Sequence, residues 1–183
     1  MINKGMFHHI ITTAHAGRSI LVELGSGETS AKFVEHGLTV YSIEHDEAWL
    51  GKYPGVNYIH APLVPLYGKI NEYFTGPGNC KTMWYDSNIV ERNLPEQYDA
   101  LLLDGPPRNY RPMFYYRWGP FRTDVPWFAD DLSRPEWYRA LLWLSRDRGL
   151  DTFPEVHGLQ SEHMWCKIPA QRREDARQTT RLD

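Results

Sequence analysis

The chain has 183 residues, 42% hydrophobic and 14% aromatic, enough to bury one sizeable core and too few for two ordinary domains. A formal charge of -3 and a pI near 6.2 exclude a global attraction to nucleic acid or anionic membranes. Its two cysteines, Cys80 and Cys166, stand far apart with no C-x-x-C spacing, so no disulfide framework or zinc knuckle is implied and both are expected to be reduced.

The N-terminal MINKGMFHHIITTAHAGRS lacks an apolar core followed by a small-residue cleavage site, and no run approaches the ~18 apolar residues of a membrane span. A soluble, cytoplasmic protein without membrane partners is expected, and nucleic acid is not an expected partner. Met1 to Arg18 is read as a short helix feeding the first strand. Ser19 to Leu24 (SILVEL) is apolar and closed by glycines, as suits a buried parallel strand. Thr29 to His36 follows as a helix stopped by Gly37, then Leu38 to Ile43 as a strand and Asp46 to Lys52 as a short helix. Val56 to Ala61 is a third strand, closed by Pro62.

From Leu63 to Gln97 the pattern weakens; that stretch holds a Gly-Pro-Gly at Gly76 to Gly78, the run MWYD at Met83 to Asp86, and a helix near Asn88 to Leu94. Tyr98 to Asp104 (YDALLLD) is the clearest central strand, stopped by Gly105-Pro106-Pro107. Pro126 to Ala129 makes a fifth strand ending at Asp130-Asp131, and Arg134 to Arg148 is the strongest amphipathic helix, with Trp137, Ala140, Leu141, Trp143 and Leu144 along its apolar stripe. Thr152 to His157 and His163 to Ile168 are expected to pair as an antiparallel hairpin across Gly158. Residues 1–169 are read as a single domain and 170–183 as a charged, mobile tail.

Strands alternating with helices predict an α/β fold: a mostly parallel sheet of about seven strands with an antiparallel C-terminal hairpin and helices on both faces. Ligands on such sheets bind at the carboxyl ends of the strands, near the switch point. Those ends carry Glu23 to Gly27, Glu44-His45, Asp104-Gly105 and Asp130-Asp131. A dinucleotide loop, G-x-G-x-x-G, would need a glycine where Ser30 stands, and a phosphate-binding loop, G-x-x-x-x-G-K-[ST], would need a lysine that does not follow here, so both phosphate readings are weakened. A carboxylate at Glu23 would repel a diphosphate and attract an ammonium or sulfonium. Glu44, 19 residues after Gly25, is spaced to accept hydrogen bonds from the two hydroxyls of a ribose, a role that serves NAD equally well.

Taken together, E-x-G-x-G at Glu23 to Gly27, YSIEHDEAW at Tyr41 to Trp49, YDALLLDGPP at Tyr98 to Pro107 and FADD at Phe128 to Asp131 resemble the class I S-adenosylmethionine-dependent methyltransferases, whose sheet is Rossmann-like. The resemblance runs from about Ser19 to Ile168; GSGETS, SIEHD, HAPL, WYD and LLLDGPP are similar to small bacterial methyltransferases and, more distantly, to glucuronoxylan O-methyltransferases. It implies that S-adenosylmethionine is the cofactor, with Gly25, Ser26 and Gly27 under its methionine and ribose, Glu44 on the ribose, His45 beside the adenine and Asp104 beside the methyl centre. Glu28 departs from the pattern, replacing the small residue usual after the second glycine.

Methyl transfer to a hydroxyl needs a base or a Lewis acid besides alignment. Asp104 and Asp130 are the catalytic candidates, and Asp104, Asp130 and Asp131 supply hard oxygen ligands for a divalent cation at two adjacent strand ends. That trio resembles the Asp plus Asp-Asn set of catechol-type O-methyltransferases, with Asp131 in place of the asparagine. RNYRPMFYYRWGPFR, Arg108 to Arg122, is read as a partly buried helix whose arginines reach solvent, with acceptor contact as the rival reading; His157 and His163 flank the terminal hairpin. The expected acceptor is a small molecule or saccharide, the latter by resemblance alone. The alternatives are a nicotinamide-dependent oxidoreductase and a non-catalytic module that keeps the adenosine site.

Overall fold

The structure is a computed structural model that describes residues 2–14, 19–67, 82–107, 109–147, 155–158 and 164–170. Its strands in chain order are β1 (Ile20–Leu24), β2 (Thr39–Glu44), β3 (Val56–His60), β4 (Leu63–Pro65), β5 (Met83–Tyr85), β6 (Ala100–Leu103), β7 (Trp127–Ala129), β8 (Glu155–His157) and β9 (Trp165–Ile168). Seven of them form one sheet in the order β3-β2-β1-β6-β7-β9-β8. The first five in that order are parallel, β9 runs antiparallel to β7, and β8 antiparallel to β9. Both faces of the central strands are covered, which is why β6 reads in the sequence as a continuous apolar run and β1 as one broken only by Glu23, rather than as alternating strands.

The α-helices are α1 (Lys4–Thr13), α2 (Glu28–Glu35), α3 (Ser87–Asn93) and α4 (Pro135–Asp147). Asn3 and Asp86 cap α1 and α3 through side-chain oxygens that accept from Gly5 N at 2.7 Å and Asn88 N at 2.9 Å. Met6 and Ile10 of α1 and Phe33 of α2 pack on one face of the sheet with Leu21, Val40, Ala100, Leu102 and Phe128. On the other face Val22, Leu24, Ile43, Leu101, Leu103 and Trp127 meet Trp84, Val90, Phe114, Trp137, Leu141 and Leu144. Period-two alternation in β6 thus sends Ala100 and Leu102 to one core and Leu101 and Leu103 to the other. Among the described residues no helix is long and apolar enough to cross a membrane.

Three local expectations change. The segment at Asp46 to Lys52 is a 3₁₀ turn, Glu47–Trp49, capped by Asp46, rather than a longer helix. β4 and β5 pair antiparallel as a separate ribbon; at three residues each they are too short to carry a period that a sequence pattern can report. The aromatic segment after β6 forms a 3₁₀ helix, Arg111–Tyr116, with Pro112 in its first turn, and Arg111 at its start is buried rather than solvated. Residues 15–18 of the expected first helix, Gly76 to Gly78, Cys80, Arg108, Arg148, Thr152, His163 and residues 171–183 of the expected tail lie outside the described residues.

From β1 the chain moves outward to β2 and β3, then returns to lay β6 on the other side of β1. This reversal sets the turn after β1 beside the turn after β6, at the carboxyl edge of the sheet.

Candidate functional site

The two turns touch through backbone. Gly25 has φ +85, and a Cβ there would lie 3.1 Å from Gly105 Cα and 3.2 Å from Gly105 N. A Cβ on Gly105 would fall 2.7 Å from Gly25 N and 2.8 Å from Gly25 Cα, and would also strike the Tyr85 hydroxyl. Gly25 N donates to Ile43 O at 2.9 Å, which ties the turn to β2. Gly27 is different: its backbone is extended, a side chain there would meet nothing within 4 Å, and it opens α2. Ser30, in the place of a third glycine, accepts from Gly27 N at 3.0 Å and donates its own N–H to Gly27 O at 3.0 Å. The loop is therefore closed on itself by a hydroxyl, and the Gly27 N–H that a phosphate loop would offer to its anion is already engaged.

Glu44, 3% exposed at the end of β2, organises the opposite wall. Its Oε2 accepts from Ser26 N at 2.9 Å; its Oε1 accepts from His45 N at 2.7 Å and Asp46 N at 2.9 Å. His45 Nδ1 lies 2.8 Å from Oε1, at ion-pair distance but without hydrogen-bond geometry. A carboxylate has about four lone-pair sites, so these bonds leave open capacity chiefly on Oε2, the oxygen beside the glycine turn. The structure thus joins Ser26, Glu44 and His45 in one cluster with Gly25 and Gly27.

Glu23 is also here, but not in the state its sequence position suggested. It is 2% exposed on β1, facing the Ser30 and Ser42 hydroxyls. Burial pushes its carboxyl up to about 8 against the pull of those hydroxyls. Near neutral pH it is protonated, so the fixed negative charge expected of it is absent until something compensates the cost of ionising it.

At the ends of β6 and β7 lie Asp104, Asp130 and Asp131, with Arg111 among them. The Arg111 side chain is 7% exposed, with Nη2 at 2.9 Å from Asp104 Oδ1 and Nη1 at 3.0 Å from Asp131 Oδ2. Nη2 also donates to Asp104 O, Nη1 to Asp130 O at 3.5 Å, and Nε to Pro106 O at 3.1 Å. Sequence reasoning sent this arginine to solvent because arginine stems usually run outward; the aspartates that draw it inward are distant in sequence.

This corrects the metal expectation for Asp104, Asp130 and Asp131. Among the described residues no group of three His, Cys, Asp or Glu side chains is arranged to hold a metal ion. A guanidinium already spans two of the three carboxylates, so the trio does not fit a divalent cation.

Asp104 keeps 35% of its side chain exposed; burial raises its pKa, Arg111 lowers it, and the charge of Asp131 raises it. Asp130 is 6% exposed, and burial, then the charge of Asp104, push its carboxyl up to about 6. Its Oδ1 is buried without a hydrogen-bond partner among the described residues. Tyr85, fully buried on β5, was missed by sequence reasoning; its hydroxyl, likewise unpartnered, sits between Gly105 and the charges of Glu44, Asp104, Glu23 and Arg111. Burial holds that phenol well above its usual range, so it is neutral. The signal was in WYD, a bulky aromatic beside an acidic cap, but nothing local says which way the ring turns.

An open cleft of about 650 Å³ is lined by His45, Leu63, Met83, Pro107, Asn109, Tyr110 and Arg134; of the candidate site residues only His45 lines it. The β4–β5 ribbon and the loop after β6 supply its walls, and Arg134 Nη1 donates to Asn109 Oδ1 at 2.7 Å across its rim. His157 is not part of it: its ring stacks on Trp165 at 4.1 Å, beside His9.

No family model matches the chain, and no curated protein matches it. Solved structures share its architecture. A Streptococcus mutans protein in complex with SAH superposes with a TM-score of 0.55 at 12% identity, covering 92% of this chain and 98% of that one. A TehB-like SAM-dependent methyltransferase from Corynebacterium glutamicum gives 0.55 at 10% identity, covering 91% and 88%. The chain has the class I methyltransferase fold. The C-terminal domain of precorrin-6Y C5,15-methyltransferase from Rhodobacter capsulatus shares it too, with a TM-score of 0.53 at 13% identity over 94% of this chain and 91% of that domain. Identities this low attest the class I methyltransferase fold alone, and the chemistry rests on the residues at its carboxyl edge.

Proposed function

We propose that the protein is an S-adenosylmethionine-dependent methyltransferase, O-directed on a small molecule or saccharide. One observation carries the reading: on a class I methyltransferase fold, Glu44 ends β2 with its carboxylate bonded to Ser26 N in the glycine turn, keeping capacity on Oε2 for a ligand hydroxyl. SAM-dependent neighbours and an SAH complex of the same fold support it. The saccharide preference rests on the sequence resemblance.

In this reading Gly25, Ser26 and Gly27 lie under the methionine and ribose, Glu44 accepts from the ribose, and His45 with the apolar wall of Leu63, Met83 and Pro107 borders the adenine. When bound, the cofactor supplies a methyl group on a positively charged sulfur, already reactive towards a nucleophile. The chain aligns the acceptor and takes its proton. Asp130, with its raised pKa and unengaged Oδ1, is the base, and Asp104 stands beside the methyl centre. Glu23 contributes a carboxyl that ionises as the ammonium-bearing ligand arrives.

Calorimetric titration with S-adenosylhomocysteine, with NAD as comparator, tests the proposal. Wild type is expected to bind S-adenosylhomocysteine and not NAD. Glu44→Gln is expected to weaken binding by about tenfold, the value of a hydrogen bond to a charged group. Failure of wild type to bind, or preference for NAD, overturns the proposal.

A further inference from the structure

We infer that Arg111 is the resident cation of this site: its guanidinium replaces the divalent ion that the spacing of Asp104, Asp130 and Asp131 suggests, and it positions the Asp104 carboxylate. The first half stands independently; the positioning half rests on the methyltransferase reading.

Three carboxylates gathered at two adjacent strand ends repel one another unless a positive charge lies among them. Arg111 is that charge. Its fork is engaged on every side: Nη2 on Asp104 O and Oδ1, Nη1 on Asp131 Oδ2 and Asp130 O, and Nε on Pro106 O. A planar, rigid donor set of this kind fixes carboxylate direction as well as charge. It also cannot be exchanged for another ion, since it is part of the chain.

The loop geometry conforms to the arginine. Asp131 is the only described non-glycine residue with positive φ, at 58, a costly conformation that directs its carboxylate to Nη1. Arg111 itself is anchored by the 3₁₀ helix it begins, whose Met113 and Phe114 are fully buried. With Oδ1 of Asp104 committed to the guanidinium, Oδ2 is the oxygen left for the reaction.

Manganese alone, followed by loss of the free-ion EPR signal, is the probe. Wild type is expected to take up no Mn²⁺ at the aspartates at millimolar concentration. Arg111→Ala, checked for a native circular dichroism spectrum, is expected to gain one Mn²⁺ site that disappears in the double variant Arg111→Ala/Asp131→Asn; Arg111→Lys, which keeps a charge, is expected to gain none. In S-adenosylhomocysteine calorimetry, Arg111→Ala is expected to lose about tenfold in affinity and to recover part of it when Mn²⁺ is added, a rescue that a purely structural arginine would not show. Wild-type Mn²⁺ uptake that Asp131→Asn removes overturns the inference, as does a folded Arg111→Ala that gains no site. Should Arg111→Ala not fold, the wild-type and Arg111→Lys titrations still decide it. Absence of S-adenosylhomocysteine binding to wild type would instead sink the methyltransferase reading and the positioning half, leaving the Mn²⁺ arms to decide the charge role.

Discussion

Asp130 is a carboxyl poised near neutrality, because burial and the neighbouring charge of Asp104 both disfavour its ionised form. On the proposed methyltransferase reading Asp130 is the base and acts only when deprotonated, so methyl transfer is expected to rise with pH through about 6, and Asp130→Asn to abolish that rise while lowering kcat by about 10²- to 10⁴-fold. A pH–rate profile of both proteins with an accepted substrate checks this, and an unchanged profile in the variant would assign the base elsewhere. Tyr85 offers a test of opposite character. Its hydroxyl is buried and unpartnered among the described residues, so Tyr85→Phe is expected to leave unfolding stability unchanged or raised by about 1 kcal/mol. Denaturant unfolding that shows a loss of several kcal/mol would mean the hydroxyl holds the fold together.

Between elements, the decisive contact is the meeting of two glycine turns. Because a Cβ on Gly105 would lie 2.7 Å from Gly25 N, an alanine there can be housed only if the ends of β1 and β6 part. Gly105→Ala is expected to cost about 1–3 kcal/mol, as overpacking does, and to abolish S-adenosylhomocysteine binding in calorimetry. Gly27→Ala, with open space around it, is expected to keep the fold. The 3₁₀ helix that presents Arg111 depends on Phe114, which is fully buried against Trp84, Trp127 and Trp137. Phe114→Ala is expected to lower unfolding free energy by about 3–5 kcal/mol in urea titration. Neither contact has a local signature: a six-residue 3₁₀ helix and a turn-to-turn approach are both made by tertiary packing.

At the scale of the whole molecule, the buried carboxyls of Glu23 and Asp130 make stability depend on pH. Glu23 has a folded pKa of about 8 against an ordinary 4.5, so folding favours its protonated form. Its contribution is complete below 4.5 and is lost as pH rises through about 8, with a slope approaching ~1.4 kcal/mol per pH unit. Asp130 acts in the same sense over a lower window, from 3.8 to about 6. Glu23→Gln is therefore expected to flatten the fall in melting temperature between about pH 6 and pH 8, measured by calorimetry against wild type. A parallel decline in both proteins would show that Glu23 does not carry it.

Most of this architecture was legible before the chain was folded. Parallel strands covered on both sides are mostly apolar, as SILVEL, YDALLLD and PWFA are, while the outer LTVYSI and VNYIHA mix in polar residues; each run is closed by a turn residue or a charge. The acidic and glycine residues at their carboxyl ends were legible for the same reason, since a strand end is where an apolar run stops. Charge state and partnership were not. That Glu23 is buried and protonated, that Ser30 closes the glycine loop, and that Arg111 turns inward to bind Asp104 and Asp131 follow from which loops the sheet order brings together. Periodicity along the chain reports which faces are buried; only the crossing from β3 back to β6 decides which strand ends become neighbours, and electrostatics depends on neighbours.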